Sequence, residues 1–476
     1  MAHTTTRVLA LGLIALLLGC SGGKKDRGVP AGSTSAPVTS GGGTTPTNPP
    51  PAPNYVDEAL VSSFATDEVI EVDTKTGAVG NRWAVGDGPT DVAHDVTLSY
   101  VANALDQNVA VIDRLANNTA GSIDVLAQPV AGTSLLGFAD PILKPLVRPT
   151  GVAVTPNGNT VVSANLLNVS VADAATLGVR KNILGLTPIS LANLLANPSQ
   201  AISTFLAAPV RGLGFAKVAA TNDRAFVTAM LTGTVLRIDL TTNTVLGYTD
   251  VGKGPIGITI ANGKAYVACA LSQEVSVIDV ATGNVLKTLA AGMVPVDCGT
   301  NKAQSAVYVA NAISGDITVI DTAADLVVDT LPAGLSIVSM FQMMGIQVPT
   351  GNGSTGIAAL LNGFLQGFAA GINNPNSFGN LLFNNQGGLL SPGTLINGLI
   401  SGFLSYAGVT QSQLAGLNMP GMGLLSIAGA HDPDLVVSGN AFLGEVVLTR
   451  RQSKAVNTLP GLTGLGPVDV APVVPR

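Results

Sequence analysis

Short segments in which apolar and polar residues alternate recur along most of the chain, and this period of two is typical of half-buried β-strands. One such segment occurs seven times: YVANA at 100–104 and 308–312, YVACA at 266–270, VSAN at 162–165, FVTAM at 226–230, VVSGN at 436–440 and LVSSF at 60–64. After a short polar turn, each copy is followed by a second strand, which ends at Asp73, Asp113, Asp173, Asp239, Asp279, Asp321 or Thr449. The repetition predicts seven copies of one structural unit.

Two further strands complete each unit. Polar turns such as 74–77 and 281–284 follow the second strand and lead into a third, for example at 285–289. Another strand precedes the YVAN segment, with copies GPTDVA at 88–93, RPTGVAV at 148–154, GPIGITI at 254–260 and VPVDCG at 294–299. Each unit is therefore predicted to be a four-stranded antiparallel meander.

With these strands the chain resembles the YVTN family of β-propeller repeats, in which P-x-[GD]-[VI]-[AT], YV[AT]N and V-x-V-I-D strands recur about every 40 residues. The resemblance covers roughly residues 56–334 and 423–472 and implies an all-β, seven-bladed β-propeller over 55–472, followed by a tail at 473–476. The first unit has no GPxDVA strand before it, whereas GPVDVAP at 466–472 has no YVAN strand after it. We expect this C-terminal strand to close the first blade; six or eight blades are the alternatives.

Three repeats are longer than the others, which places insertions at about 126–147, 183–211 and 335–422. Each follows the outermost strand of one blade and precedes the innermost strand of the next, so all three should emerge on one face of the ring. Residues 330–430 and 182–210 contain no Asp, Glu, Lys, Arg or His. In the third insertion, apolar residues at helical spacing predict two amphipathic helices with a candidate binding surface formed by Ile357, Leu361, Phe364, Phe368, Leu399 and Phe403.

Three interpretations of this helical insertion remain open. The helices can cap the propeller face and bury their apolar stripes against it and against the second insertion. They can instead present a surface for a partner protein or an apolar ligand, because exposed apolar patches mark interaction sites. Contact with a membrane is the third interpretation, although the stripes contain Asn362, Gln366 and Asn397 and are too short to span a bilayer.

The N-terminus carries features of an export signal. Arg7 precedes an apolar run at 8–18, which has the length of a secretory h-region. The run ends in LLGC at 17–20, which resembles the bacterial lipoprotein box and implies cleavage after residue 19 and lipidation of Cys20. Residues 20–54 follow as a tether rich in Gly, Ser, Thr and Pro. We expect a cell-envelope protein anchored by lipid to the outer membrane, on its periplasmic or its surface side.

Composition excludes some classes of function. Charged residues make up 11% of the chain and hydrophobic residues 46%, with 56 glycines, so a large core is available and most of the chain is not disordered. The formal net charge is -6, and no basic run extends beyond residues 24–27. A nucleic-acid partner therefore finds no positively charged surface.

Few residues suggest catalytic chemistry. His94 and His431 have no metal-ligand spacing, and no haem-attachment, nucleophile-elbow or phosphate-binding motif occurs. Asp91, Asp297 and Asp469 occupy the same place in three inner strands, so their carboxylates form a weak candidate cation site at the channel mouth, unless each hydrogen-bonds the backbone of the adjoining loop instead. Cys269 and Cys298 lie toward the same end of neighbouring blades and are a possible disulfide; otherwise they are small buried apolar residues.

These features favour a binding scaffold over an enzyme. We expect no cofactor, and we expect a partner, another envelope protein, that docks on the insertion-bearing face. The alternative is a hydrolase on the same face, because propellers that resemble this one include lactonase-like hydrolases, although no matching His, Glu and Arg set is found in this chain.

Overall fold

The structure is a computed structural model that describes residues 58–64, 66–127, 147–184, 211–212, 214–312, 314–333, 424–430, 432–440, 445–459 and 468–473. The predicted signal segment, Cys20, the tether and most of the three insertions lie outside these residues. Within the described part, no helix is long and apolar enough to cross a membrane.

The described strands form seven four-stranded antiparallel sheets, which are the blades. From the inner to the outer strand, blade 1 contains β28 (Val468–Val473), β1 (Glu58–Ser63), β2 (Glu68–Asp73) and β3 (Val79–Ala84). Blade 2 contains β4 (Pro89–His94), β5 (Leu98–Asn103), β6 (Asn108–Asp113) and β7 (Asn118–Asp124). Blade 3 contains β8 (Pro149–Val154), β9 (Thr160–Asn165), β10 (Asn168–Asp173) and β11 (Val179–Leu184).

The remaining blades repeat this order. Blade 4 contains β12 (Phe215–Ala220), β13 (Arg224–Ala229), β14 (Thr234–Asp239) and β15 (Thr244–Asp250). Blade 5 contains β16 (Pro255–Ala261), β17 (Lys264–Cys269), β18 (Glu274–Asp279) and β19 (Val285–Ala290). Blade 6 contains β20 (Pro295–Thr300), β21 (Ala306–Asn311), β22 (Asp316–Asp321) and β23 (Leu326–Pro332). Blade 7 contains β24 (Leu424–Gly429), β25 (Leu435–Asn440), β26 (Glu445–Arg450) and β27 (Val456–Leu459).

The inner strands form a closed ring around a central channel. Each packs against the inner strand of the next blade, and β28 packs against both β24 and β4. Within blade 1, β28 pairs with β1 so that Val470 lies opposite Val61 and Asp469 opposite Ser62. The predicted seven-bladed propeller, with its C-terminal strand closing the first blade, is therefore confirmed.

The hydrophobic core lies between the blades, because alternate residues of each strand face opposite neighbours. In β5, Val101 packs in a cluster with blade 1, whereas Tyr100 and Ala102 pack in a cluster with blade 3. All three side chains are fully buried. The YVAN pattern therefore contains no solvent-facing position, and one strand supplies core to two blade interfaces.

In blades 1 to 6 the third strand from the channel ends in an aspartate, and this residue stabilises the turn that follows it in most of them. Asp73 Oδ1 accepts backbone N–H groups from Lys75 at 2.8 Å and Thr76 at 2.9 Å. Asp113, Asp173, Asp239 and Asp321 repeat both contacts. This geometry is the Asx turn, which explains why the V-x-V-I-D pattern ends in aspartate.

Strand directions define two faces of the ring. The insertion-bearing face is the one at which the outer strand of each blade connects to the inner strand of the next, and it includes the starts of β4, β8, β12, β16, β20, β24 and β28. The opposite face, called the tether face, includes Glu58 at the start of β1, because Glu58 pairs with Val473 at the end of β28. The chain N-terminal to β1 therefore joins the propeller on the tether face.

Candidate functional site

One register position in the seven inner strands carries three aspartates and one lysine. In each inner strand it is the residue immediately before the one that lies opposite the middle of the YVAN strand. In blade 2, for example, Asp91 precedes Val92, and Val92 lies opposite Val101. In blade order the seven residues are Asp469, Asp91, Gly151, Lys217, Gly257, Asp297 and Ser426. We call these residues the channel ring. In β4 it lies two residues from the start of the strand, about 7 Å from the insertion-bearing end.

The two glycines of the channel ring are required by close backbone approach. A Cβ added to Gly257 would lie 2.3 Å from the Cα atom of Asp297 in the next inner strand. A Cβ added to Gly151 would lie 2.6 Å from the carbonyl oxygen of Ala216 and 2.8 Å from the Cα atom of Lys217. Glycine at these places lets the neighbouring strands approach and leaves the channel to the longer side chains.

Lys217 reaches across the channel to two aspartates. Its Nζ atom donates a hydrogen bond of 2.7 Å to Oδ1 of Asp469 and also contacts Oδ1 of Asp91. The lysine side chain is 17% exposed, and each of the two aspartate side chains is 6% exposed. A mostly buried ion pair therefore links blade 4 to blades 1 and 2.

Each aspartate of the channel ring also binds the backbone of the next blade. Asp469 Oδ2 accepts the N–H group of Val92 at 3.0 Å, and Asp91 Oδ2 accepts that of Val152 at 2.6 Å. Asp297 Oδ2 accepts the N–H group of Ile427 at 3.1 Å. In an antiparallel sheet, alternate N–H groups of an edge strand point away from its partner and need another acceptor. The carboxylates supply that acceptor along the channel.

The charges of the cluster are unequal, because one amine faces three carboxylates. Burial alone lowers the pKa of Lys217, but the negative charges of Asp297, Asp469 and Asp91 outweigh it and hold that pKa well above its ordinary value. Burial raises the pKa of Asp91 well above its ordinary value, and it raises the pKa of Asp297 to about 6, against the attraction of Lys217. Lys217 is therefore a cation at neutral pH, and burial favours proton uptake by Asp91 and Asp297.

This arrangement fits a structural role better than catalysis. A protonated amine has no free electron pair with which to attack a substrate or take up a proton. Among the aspartates, the oxygens that point to the next blade already accept backbone hydrogen bonds. Ser426 occupies the ring position between Asp297 and Asp469, and its hydroxyl is buried without a hydrogen-bond partner among the described residues.

In the structure, a lysine side chain occupies the candidate cation site. The channel brings Asp91 and Asp469 together, but the ammonium group of Lys217 lies between them. In the described part of the chain, no group of three or more His, Cys, Asp or Glu residues is placed to hold a metal ion. Each aspartate also binds backbone, as the alternative interpretation expected, although the backbone belongs to the next inner strand.

The structure places the cysteines apart. Both thiols are free and buried. Cys298 packs with Ala268 between blades 5 and 6, whereas Cys269, one residue further along β17, packs with Val267 between blades 4 and 5. The two side chains therefore lie on opposite sides of the blade 5 sheet, because adjacent strand residues point in opposite directions. The possible disulfide between Cys269 and Cys298 is not formed, and both act as small buried apolar residues.

The other candidate residues are distributed as follows. His94 is the last residue of β4, and its Nδ1 atom lies 3.0 Å from the carbonyl oxygen of Asp95. His431, Cys20 and the candidate binding surface lie outside the described residues; that surface is Ile357, Leu361, Phe364, Phe368, Leu399 and Phe403. The described strand ends place all three insertions between an outer strand and the next inner strand, as predicted.

Of the comparisons with known proteins, one with a solved structure supports the fold, and it supports nothing beyond the fold. No family model and no curated protein matches the chain. A functionally unknown protein from Desulfotomaculum acetoxidans has a similar crystal structure, with a TM-score of 0.52 and 12% identity, over 88% of this chain and 100% of that one. The hydrazine synthase of Kuenenia stuttgartiensis aligns with a TM-score of 0.44 and 14% identity, over 85% of this chain and 92% of that one. The resemblance to the YVTN repeat family stays a prediction from sequence.

Proposed function

We propose that this propeller is a lipid-anchored scaffold of the cell envelope, and that a partner protein docks on its insertion-bearing face. The observation that supports this most is topological: the three long connections all leave and re-enter the ring on one face. They follow β7, β11 and β23, whereas the connections after β3, β15 and β19 are short. Extra chain concentrated on one face of a rigid scaffold is the usual arrangement of a binding surface.

The position of the anchor supports the same orientation. The tether joins β1 at Glu58 on the tether face, opposite the insertions. A lipidated Cys20 would therefore hold the membrane nearer the tether face and leave the insertion-bearing face free for a partner. A tether of this length and composition is flexible, with an average span on the order of 30 Å, so it favours this orientation without fixing it.

The chemistry of the insertions indicates the kind of partner. Residues 330–430 contain no charged residue, so a partner that docks there must offer an apolar or uncharged polar surface. Another envelope protein with an apolar surface fits this requirement. The channel ring is a less suitable docking site for a partner, because its lysine, Lys217, already binds two aspartates of the propeller itself.

Docking can be tested by removing the longest insertion. Replacing 334–423 with VGKG, the sequence of the short connection at 251–254, keeps the propeller topology. A matched control exchanges the tether-face turn at 74–77 for the equivalent turn at 280–283. Both chains are used to capture partners from detergent-solubilised envelopes. The proposal expects a stoichiometric partner that is lost with the insertion and kept with the exchanged turn. Absence of any partner, together with turnover of a lactone panel by the unaltered chain, would instead favour the hydrolase.

The anchor has a separate test. Cys20→Ser removes the thiol that would carry the lipid, so the exported chain should move from the membrane to the soluble fraction. Ser21→Ala changes a neighbouring residue and should leave the chain in the membrane fraction. Membrane association that survives Cys20→Ser would exclude a lipid on this residue as the anchor.

A further inference from the structure

The closing strand β28 is attached differently from the other inner strands. Within every other blade, neighbouring strands are consecutive in sequence, whereas β28 and β1 come from opposite ends of the propeller. Strands joined by a short connection re-pair quickly after a local opening, because the entropy of bringing them together is small. The β28–β1 pair lacks this advantage, so an opening at the seam of blade 1 should close more slowly than one between strands that are joined by a short turn.

The structure describes three side chains of β28, those of Asp469, Val470 and Ala471. Of the side chains that the structure describes in this strand, Asp469 and Val470 are 4% exposed and Ala471 is half-buried. Val470 is the single fully enclosed apolar side chain among these three.

Asp469 binds three blades at once. Its N–H group donates to Oγ of Ser62 in blade 1 at 3.1 Å, and its Oδ2 atom accepts the N–H group of Val92 in blade 2 at 3.0 Å. Its Oδ1 atom accepts a hydrogen bond from Nζ of Lys217 in blade 4 at 2.7 Å. The last contact is the one that crosses the channel.

The backbone of Lys217, across the channel from β28, is linked by hydrogen bonds to blades 4 and 5. Its backbone N–H group donates to Oγ1 of Thr228 at 3.0 Å, and the same hydroxyl donates to the carbonyl oxygen of Ile256 in blade 5 at 2.7 Å. The lysine is thus fixed to blades 4 and 5, which are joined to their neighbours by continuous chain. Its ammonium group therefore extends from a backbone that is hydrogen-bonded within blade 4 and, through Thr228, to blade 5.

We propose that Lys217 is a lock on ring closure, which holds β28 against β1 through Asp469 from the opposite side of the channel. Without its ammonium group, Asp91 and Asp469 would each lose the contact that crosses the channel. The loss would act on both strands, but only Asp469 lies on a strand whose pairing partner comes from the other end of the propeller sequence. Lys217 is in this sense a positioning residue.

Two isosteric substitutions in equivalent positions test the lock. Asp469→Asn and Asp91→Asn each remove one negative charge next to Lys217 and keep an oxygen that can accept the backbone N–H group of the next blade. Hydrogen–deuterium exchange of the full chain is followed for peptides that cover 468–473 and the other inner strands. Asp469→Asn should speed exchange in 468–473 at least tenfold and leave β8 and β12 unchanged. Asp91→Asn should leave exchange in 468–473 within twofold of the wild-type rate.

Lysine variants provide the second arm. Lys217→Met keeps the length of the side chain without its charge, and Lys287→Met is the control on an exposed position of β19. Exchange in 468–473 should rise at least tenfold with the first and stay at the wild-type rate with the second. Adding Asp469→Asn to Lys217→Met should change exchange in 468–473 by less than twofold relative to Lys217→Met alone, because both substitutions remove the same contact. The lock is overturned if Lys217→Met leaves 468–473 protected, if the two asparagine variants act equally, or if exchange rises in all blades together.

Discussion

Tyr266 donates a hydrogen bond of 2.6 Å from its hydroxyl group to Oδ1 of Asp325, which lies in the next blade. The same carboxylate accepts hydrogen bonds of 2.7 Å from Nζ of Lys264 to both of its oxygens. Lys264 also donates to the carbonyl oxygen of Thr322 at 2.7 Å. The YVAN strand of blade 5 is therefore tied to the outer turn of blade 6 on the tether face.

Loss of the Asp325 charge should weaken this contact between blades. Asp325→Asn keeps a residue that tolerates the positive φ of 52° at this position. The lysine then loses a partner in a site where both side chains are only 16% exposed. The free energy of unfolding should fall by about 2 kcal/mol, measured by denaturant titration.

An exposed aspartate provides the comparison. Asp223 is 62% exposed and lies 3.6 Å from Arg224. Asp223→Asn should change the free energy of unfolding by less than about 0.5 kcal/mol, because solvent screens exposed ion pairs. Equal losses of unfolding free energy in the two variants would show that the Tyr266–Asp325–Lys264 contact stabilises the fold no more than an exposed ion pair does.

Asp297 should make the propeller more stable in mild acid. Its pKa in the folded chain is about 6, which exceeds the ordinary aspartate value of 3.8, so the folded state takes up the proton first. The stabilisation from this group is full below about pH 4 and is lost as the pH rises through 6. Asp297→Asn should remove a gain on the order of 2 kcal/mol between pH 7 and pH 4, seen as a flatter dependence of the unfolding free energy on pH.

Another acid titrates in the same range. Burial and the neighbouring Glu71 raise the pKa of Glu58 to about 7, but this group is present in both chains and cancels in the difference. A wild-type profile that is parallel to the Asp297→Asn profile from pH 7 to pH 4 would contradict the raised pKa of Asp297.

Gly257 should tolerate no side chain. In Gly257→Ala the new Cβ would lie 2.3 Å from the Cα atom of Asp297, and backbone cannot move aside as a flexible side chain can. We expect a loss of roughly 3 kcal/mol or more in the free energy of unfolding, from the displacement of two inner strands. Gly178→Ala is the control, because its Cβ would meet only Oγ1 of Thr176 at 3.4 Å, and it should cost less than about 1 kcal/mol.

The repeated strands could be predicted from sequence because their physics is local. Strict alternation in segments such as 100–104 and 308–312 fixed the strands, and the unpaired GPVDVAP segment indicated the closure. The aspartates of the channel were found for the same reason, since they occupy one place in a recurring pattern. These features need no knowledge of distant contacts.

Lys217 was missed because its strand, FAKVAA at 215–220, lacks the proline that marks the inner strands of blades 2, 3, 5 and 6. Counting back from the FVTA strand would have aligned it with Asp91 and Asp297. That the lysine reaches Asp469 across the channel depends on ring closure and is not encoded in any local pattern. The expected disulfide did not form because the side chain of Cys269 points to the interface of blades 4 and 5, whereas Cys298 of blade 6 lies on the other side of the blade 5 sheet.

Closure of the ring by β28 and β1 determines both the assignment of the two faces and the channel cluster, and a paired cysteine test measures it directly. Val61 and Val470 lie opposite each other and pack in one apolar cluster. Directly opposed residues in antiparallel strands have Cα atoms about 4.5–5.5 Å apart, a separation that a disulfide spans. Val61→Cys with Val470→Cys is made in a chain whose Cys20, Cys269 and Cys298 are replaced by serine.

The control joins Val61→Cys to Val227→Cys, which lies in the corresponding strand of blade 4. Under mild oxidation, the first pair should form an intramolecular disulfide in the monomer, seen by faster migration without reductant, and the control pair should stay reduced. A first pair that stays reduced, or that joins only separate chains, would contradict the closed seven-bladed ring.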